Sequence, residues 1–240
     1  MFQQLRLPAQ SRILEVGCGP GALWKENLES IPSGWRMTLL GLSPGMLAEA
    51  ESALSGISSQ LTMRLGDASR LPFPPASFDA LIANHMLYHV PDRPAALAEF
   101  HRVLAPEGLL LAATNGPGHL SELRDLERLA RRGESLITGP EFDLTTGPAQ
   151  LQPWFARVRV VRHPGRVTVT DAEVVLDYLR SLPGEPLGRA EAELVREIVN
   201  EAIGRVGCWQ VQTEPGVLRG SRRARPRPGR DLPTGPPPPG

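Results

Sequence analysis

Short apolar runs alternate with amphipathic stretches through the first half of the chain. The run at residues 13–16 ends at a glycine cluster, which is typical of a buried parallel strand. The same pattern predicts further strands at residues 37–40, 61–65, 78–83 and 108–114. Helices are expected between them at residues 22–31, 44–54 and 94–104, the second capped by Ser43 and opened by Pro44. Strand and helix alternate at βαβ spacing, which predicts a doubly wound, mostly parallel α/β sheet with helices on both faces.

The pattern changes after Gly116. Helices are expected at residues 120–132, 171–182 and 188–204, strands at residues 158–161, 166–169 and 208–213, and loops over 133–153. From Arg219 onward the chain is arginine, proline and glycine with almost no apolar residue, so that tail is expected to be disordered. The predicted division is a core at 1–116, a helical insertion with terminal strands completing the sheet at 117–218, and a tail at 219–240.

Charge and cysteine content exclude several classes of protein. The 240 residues carry 26 basic and 26 acidic side chains, so no global field favours nucleic acid or an anionic membrane. The two cysteines lie far apart and give neither a disulfide framework nor metal-ligand spacing. No apolar signal core opens the chain, and no run reaches the roughly 20 residues that span a bilayer. The expectation is a cytoplasmic protein with no metal and no membrane partner.

The glycine cluster carries the first candidate chemistry. Gly17, Gly19 and Gly21 follow a strand and precede a helix, which places a tight turn at the carboxyl edge of the sheet, where open α/β sheets bind ligands. The glycine spacing alone does not exclude a nicotinamide-dependent dehydrogenase. Glu15 argues against it, because an acid beside the turn repels a pyrophosphate and suits a cationic ligand such as S-adenosylmethionine.

Three blocks of sequence resemble the class I S-adenosylmethionine-dependent methyltransferases. ILEVGCGPG resembles the family's first motif, LGDASRLPFPPASFDALIANHMLYHV its downstream stretch, and AALAEFHRVLAPEGLLLAATN the next helix, turn and strand. The resemblance covers roughly residues 8–116, and its nearest relatives are small-molecule enzymes such as the quinone-biosynthesis C-methyltransferases. It implies a seven-stranded Rossmann-like methyltransferase fold whose insertion helps to wall the substrate pocket.

The resemblance also implies roles for individual residues. Glu15 and the glycine turn with Cys18 would hold the methionine moiety, and Asp67 with the Ala68 N–H would bind the adenine. Asn84 would lie beside the sulfonium and methyl group. The cofactor-binding residues expected in this way are Glu15, Gly17, Cys18, Gly19, Gly21, Gly41, Leu42, Met46, Asp67, Ala68 and Asn84.

Two departures from the family pattern give a second hypothesis. Gly41 stands where the family usually has an acid that grips the ribose hydroxyls, and few residues precede the first strand to close over the cofactor. A hydrogen bond to a charged acceptor contributes roughly 1.5–3 kcal/mol, so its loss weakens binding about tenfold to a hundredfold. The favoured function is in-line methyl transfer to a small-molecule acceptor, and the alternative is a degenerate, non-catalytic S-adenosylmethionine-binding module.

Three aromatic residues after the fourth strand are the candidates for the acceptor side. His85, Tyr88 and His89 follow Asn84 closely, and either histidine would serve as general base if the acceptor must lose a proton. The competing interpretation is that one of them packs under the loop. Cys18 is interpreted as a small turn residue rather than a nucleophile, and Trp24 as a packing residue. Nucleic acid binding by the arginine-rich tail is disfavoured, since no aromatic residues are interleaved with the arginines.

Overall fold

The computed structural model describes residues 1–131, 141–182 and 185–222. Its main sheet has seven strands in the order β3-β2-β1-β4-β5-β9-β6, and a separate two-stranded sheet pairs β7 with β8. The strands are β1 Arg12–Val16, β2 Arg36–Gly41, β3 Leu61–Leu65, β4 Phe78–Asn84, β5 Leu104–Asn115, β6 Phe155–Arg162, β7 Gly165–Val169, β8 Trp209–Thr213 and β9 Pro215–Arg222. The sheet confirms the predicted doubly wound, mostly parallel fold.

The first five strands pair in parallel, and β9 runs antiparallel between β5 and β6. Alternate residues along β1 and β4 serve opposite faces. Leu14 and Leu81 pack in one apolar cluster, and Ile13 and Ile82 pack in the other. This two-sided burial explains why the strands appear in the sequence as nearly continuous apolar runs.

Seven α-helices connect or flank the described strands. They are α1 Ala22–Lys25, α2 Pro44–Ala53, α3 Arg93–Val103, α4 Ser121–Arg131, α5 Gly147–Leu151, α6 Ala172–Ser181 and α7 Arg189–Val206. Helix α2 begins as expected, with the Ser43 hydroxyl accepting from the Met46 N–H at 3.3 Å. Helix α1 is shorter than the expected 22–31, because the chain turns at Glu26 and continues as a 3₁₀ turn at Leu28–Ser30.

Part of the later half forms a unit with a core of its own, while β6 and β9 belong to the main sheet. Helices α4, α6 and α7 pack with β7 and β8 around a third apolar cluster that includes Leu176, Val195 and Val211. The strand expected at 208–213 as the last of the chain therefore pairs with β7 and does not complete the main sheet. Residues 132–140, where the end of a helix and part of a loop were expected, lie outside the described part of the chain, as do residues 183–184.

The predicted boundary of the tail is wrong by four residues. Strand β9 continues through Arg219–Arg222 although this stretch has no apolar side chain. Its backbone pairs with β5 on one side and β6 on the other, so main-chain hydrogen bonds fix it where side-chain composition would not. Residues 223–240 lie outside the described part of the chain.

Helix length and polarity give one further result. None of the described helices is long and apolar enough to cross a membrane. The cytoplasmic location stays a prediction.

Candidate cofactor site

The glycine turn is bound to the end of the neighbouring strand. The Gly17 and Cys18 N–H groups donate to the Leu40 carbonyl at 2.7 and 3.2 Å. Gly17, Gly19 and Gly21 have φ values of 70°, 53° and 77°, in the left-handed region that glycine adopts without strain. The sequence therefore needs glycine at all three positions to turn from β1 into α1.

The three glycines differ in their surroundings. A Cβ on Gly17 would lie 2.8 Å from the Met86 Cβ, and one on Gly21 would lie 3.1 Å from the Ala50 Cβ. Around Gly19 the space is open, with nothing within 4 Å of the added atom. Gly17 and Gly21 thus allow the packing of the turn, and Gly19 is the member of the turn with open space around it.

A cavity of about 540 Å³ lies in front of this turn, at the carboxyl edge of β1, β2 and β4. Its volume falls within the usual range of small-molecule sites, roughly 300–1,000 Å³. The sequence-predicted residues that line it are Gly17, Cys18, Gly19, Gly41, Leu42, Met46, Asp67, Ala68, Asn84, His85 and His89. The structure thus brings together most of the predicted site from four separate segments.

Three predicted site residues do not line the cavity, namely Glu15, Gly21 and Tyr88. Its lining comes from residues 16–91, with no described residue of the insertion. That the insertion helps to wall a substrate pocket stays a prediction.

Glu15 lies behind the turn instead of facing the ligand. Its side chain is 1% exposed and accepts a hydrogen bond from the Trp24 indole Nε1 at 2.6 Å. Burial raises the pKa of Glu15 to about 8, an effect that the indole hydrogen bond only partly offsets. Trp24 is fully buried, as its interpretation as a packing residue requires, and it also anchors this acid. Direct contact of Glu15 with a bound ligand would need a rearrangement of the turn.

Cys18 behaves as a small turn residue. Burial, and secondarily the nearby Glu15 carboxylate, raise the pKa of its thiol to about 12. A thiol nucleophile acts as the thiolate, so this side chain is unsuited to nucleophilic attack at neutral pH.

Asp67 is the charged acceptor at the opposite side of the cavity. It is exposed, and its Oδ1 accepts from the Ser69 N–H and hydroxyl, both at 2.7 Å. These bonds lower the pKa of Asp67, the backbone N–H contributing most. Asp67 is therefore ionised near neutral pH and can accept hydrogen bonds from a ligand.

An ion pair on α3, which the sequence analysis missed, holds the loop after Asp67. Arg102 donates to the carbonyls of Leu71 at 3.0 Å and Phe73 at 2.7 Å, and Glu99 accepts from the Leu71 N–H at 2.8 Å. Glu99 and Arg102 also bond each other at 2.6 Å. Their i, i+3 spacing on a helix was visible in the sequence, but nothing in it specified the loop as their partner.

At the end of β2, the space around Gly41 can accommodate a Cβ atom. An added Cβ would lie 3.6 Å from Leu47 Cδ2 and 3.9 Å from Cys18 Sγ, both at van der Waals distance. Beside it, Leu42 and Met46 are 73% and 52% exposed. Large exposed apolar side chains at the rim of a cavity are typical of a surface that a ligand covers.

His85 has an unusual backbone at the end of β4. Its φ is 52°, uncommon for a residue with a Cβ, and its N–H donates to the Ala113 carbonyl at 3.2 Å. Burial lowers the pKa of His85, so its imidazole is neutral near pH 7 and can accept a proton. The Tyr88 ring lies 4.5 Å from the His89 ring, and burial raises the pKa of the phenol. Tyr88 thus packs beside the cavity, as the competing interpretation holds for one of the three.

Comparison with known proteins agrees with this geometry. Residues 14–112 match the family described as methyltransferase domain. The chain is 36% identical over 117 residues to a malonyl-[acyl-carrier protein] O-methyltransferase from Serratia marcescens, which covers 48% of this chain and 42% of that protein. It is also 36% identical over 134 residues to a trans-aconitate 2-methyltransferase from Methylobacterium nodulans, covering 55% of this chain and 47% of that protein. The chain therefore spans less than half the length of these curated relatives.

The fold comparison extends over almost the whole chain. The YcgJ protein from Bacillus subtilis superposes with a TM-score of 0.63 at 17% identity, covering 94% of this chain and 97% of that one. At that identity the likeness concerns the fold alone. Residues 14–112 are thus similar to the methyltransferase domain family, and the fold of the chain agrees with that similarity. The quinone-biosynthesis subtype stays a prediction.

The cavity suits S-adenosylmethionine in its donor set. The cofactor has a cationic end and no phosphate, and the lining contains the ionised Asp67 and no arginine or lysine. Glu15 lies behind the lining and keeps its proton near neutral pH, so it adds no charge to the cavity. The open space at Gly19 leaves room beside the turn, and the exposed Leu42 and Met46 offer apolar contact. The residue that does not fit the family pattern is Gly41, which has no side chain to grip the ribose.

Proposed function

We propose that this protein binds S-adenosylmethionine in the carboxyl-edge cavity and transfers its methyl group to a small-molecule acceptor. The observation that carries the proposal is the convergence of the glycine turn, Asp67 and Asn84 on one cavity of suitable size. The bound cofactor supplies a methyl group already activated by its sulfonium. The protein then has mainly to align the reactants, an effect that contributes roughly 7–11 kcal/mol in favourable cases.

Each lining residue has a role in this proposal. The open side of the turn at Gly19 receives the methionine end, and Glu15 supports the turn from behind through Trp24. Asp67 accepts from the adenine amino group, and Met46 packs against the adenine. Asn84 lies where β4 ends, beside the position of the transferred group.

The acceptor side is assigned to the segment after β4. His85 is neutral near pH 7 because of its burial and is our first candidate for general base, with His89 at the exposed rim as the second. Two of the similar proteins are an O-methyltransferase of malonyl-[acyl-carrier protein] and a trans-aconitate 2-methyltransferase. They favour an oxygen acceptor on a small acidic molecule over a carbon acceptor.

Calorimetric titration with S-adenosylmethionine and S-adenosylhomocysteine tests the proposal. We expect saturable one-to-one binding that Asp67→Asn weakens about tenfold, since the amide keeps the Ser69 contact but loses the charge. Asp177→Asn, an exposed aspartate on α6, is the matched control and should leave the affinity unchanged.

A methyl-transfer assay separates the two hypotheses. Transfer of labelled methyl from S-adenosylmethionine to small carboxylic acids and phenols is the expected result. Binding without transfer to any acceptor of either type would favour the non-catalytic module, and no binding at millimolar ligand would exclude both.

A further inference from the structure

A second cavity lies at the opposite, amino edge of the sheet. Its volume is about 740 Å³, and it is lined by the beginnings of β4 and β5, the end of β9, residues of β6 and residues 4–8 of the amino-terminal segment. Its charged lining residues are Arg6, Asp79, Glu107, Arg157, Arg159 and Arg219. None of them takes part in the proposed cofactor site.

Both acids of this cavity already have partners. Asp79 bonds Arg12 at 2.9 Å, and Glu107 bonds Arg157 at 2.6 Å. Arg6, Arg159 and Arg219 form no ion pair with any residue in the described ranges 1–131, 141–182 and 185–222. The cavity therefore presents three guanidinium groups whose charge no neighbouring carboxylate balances.

Two of these arginines are direct neighbours across the sheet. Arg159 of β6 stands opposite Arg219 of β9 in the antiparallel register. Like charges directly opposite each other in an antiparallel pair are destabilising. This arrangement therefore destabilises the folded protein when no anion is bound. Arg219 is also half-buried and donates to the Gln4 carbonyl at 3.4 Å, which ties it to the amino-terminal segment that carries Arg6. An anion between the strands would remove the repulsion.

The backbone at the rim of the same cavity is irregular in two places. The pairing of β4 with β5 shifts between Phe78 and Ala80, and the pairing of β6 with β9 shifts between Ala156 and Arg159. Glu107 and Arg157 lie at these irregularities with φ of 61° and 52°. Non-glycine residues in the left-handed region cost energy and cluster at ligand sites.

We propose that this amino-edge cavity binds a small multivalent oxyanion, carrying phosphate or carboxylate groups, between Arg6, Arg159 and Arg219. Arginine suits this role because its planar fork donates two parallel hydrogen bonds to an oxyanion. A ligand with at least two negative charges can contact the cross-strand pair and Arg6 together. The site is separate from the cofactor cavity, and its occupation does not depend on methyl transfer.

Calorimetric titration of the full chain with inorganic triphosphate, and separately with citrate, tests the inference. The two arms distinguish a phosphate ligand from a carboxylate ligand, and saturable one-to-one binding in either supports the site. We expect Arg159→Gln and Arg219→Gln each to weaken that binding at least tenfold and to leave S-adenosylmethionine binding unchanged. Without added anion, Arg159→Gln should melt at the same temperature as the wild type or higher, because the repulsion is gone.

Two control variants locate the binding. Arg128→Gln removes an exposed arginine of α4 and should leave the titrations unchanged. A double variant, Arg223→Gln with Arg225→Gln, removes charge from the basic segment beyond β9 and should also leave them unchanged. Absence of saturable binding in both arms would overturn the inference. So would binding that survives both cavity variants, or binding that only the double variant abolishes.

Discussion

The two edges of the main sheet carry opposite chemistry. At the carboxyl edge, the cavity in front of the glycine turn has Asp67 as its charged acceptor and histidines beside it, with no arginine or lysine in its lining. At the amino edge, three arginines remain without a carboxylate partner within the described chain. A zero net charge for the whole chain hides this separation. Overall charge therefore excludes a global field but does not describe the field at each end of the strands.

The difference arises from how each edge is built. Parallel strands β1, β2 and β4 end together, and the turns after them bring glycine backbone and short polar side chains to one place. The amino edge includes the antiparallel strands β6 and β9, whose register sets side chains directly opposite each other. Each edge can therefore be perturbed separately, and four substitutions at or behind the carboxyl edge follow from its structure.

The largest effect is expected from Gly17→Ala. The new Cβ would lie 2.8 Å from the Met86 Cβ at a φ of 70°, so the turn must shift. We expect a loss of about 2–4 kcal/mol in the free energy of unfolding and at least a hundredfold weaker S-adenosylmethionine binding. Gly19→Ala is the matched control, with similar φ but open space, and should cost only about 1–2 kcal/mol of stability. Chemical denaturation compares the two, and an equal loss of stability would contradict the packing argument.

The ion pair on α3 should give the next largest effect. Arg102→Gln removes two charged hydrogen bonds to the loop after Asp67 and leaves Glu99 without its partner. A decrease of about 1–3 kcal/mol in the free energy of unfolding is expected, with roughly tenfold weaker S-adenosylmethionine binding. Denaturation and calorimetry measure both, and triphosphate binding at the other edge should not change. Weaker binding at both edges would show that the variant acts through global unfolding.

Gly41→Asp should strengthen the carboxyl edge. The Cβ fits at ordinary contact distance, and a carboxylate there can accept from the ribose hydroxyls. Calorimetry should show about tenfold tighter S-adenosylmethionine binding, with Gly41→Asn as the uncharged control giving a smaller gain. Unchanged or weaker binding in the Asp variant would show that position 41 does not face the ribose.

A prediction of a different kind concerns pH and the buried acid behind the turn. The folded protein holds the Glu15 proton up to about pH 8, whereas the unfolded chain releases it near pH 4. Between these values the folded state binds more protons, so the free energy of unfolding falls as pH rises. Glu15→Gln should remove this dependence and be more stable than the wild type at pH 8, with little advantage at pH 4. Thermal melting at both pH values checks this, and parallel pH curves would contradict it.

Periodicity predicted the first half of the fold well because each element there is specified locally. The Ser43–Pro44 helix start and the apolar strands needed no distant partner to be recognised. Strand β9 was not predicted, and the tail was expected to begin at Arg219, because Arg219–Arg222 is a strand by virtue of its two neighbours and not of its composition. Pairing between distant segments also explains why 208–213 was assigned to the wrong sheet.

The same contrast holds for the carboxyl-edge cavity. The family resemblance predicted Gly17, Asp67 and Asn84 at one edge, and the structure brings them together. The motif did not predict the direction in which the Glu15 side chain points. Glu15 points to Trp24 because the strand alternates its side chains and the short α1 places the indole behind β1. The Arg159–Arg219 pair depends on a register between residues 60 positions apart, for which the sequence carries no local signal.

The position of β9 has a consequence for the order of folding. This strand is the last described element, yet it lies inside the sheet, between β5 and β6. During synthesis both neighbours wait with unpaired edges until residues 215–222 have left the ribosome, so the sheet closes late and through contacts of long sequence separation. An interruption of translation before this point leaves two open edges, which are ready templates for aggregation.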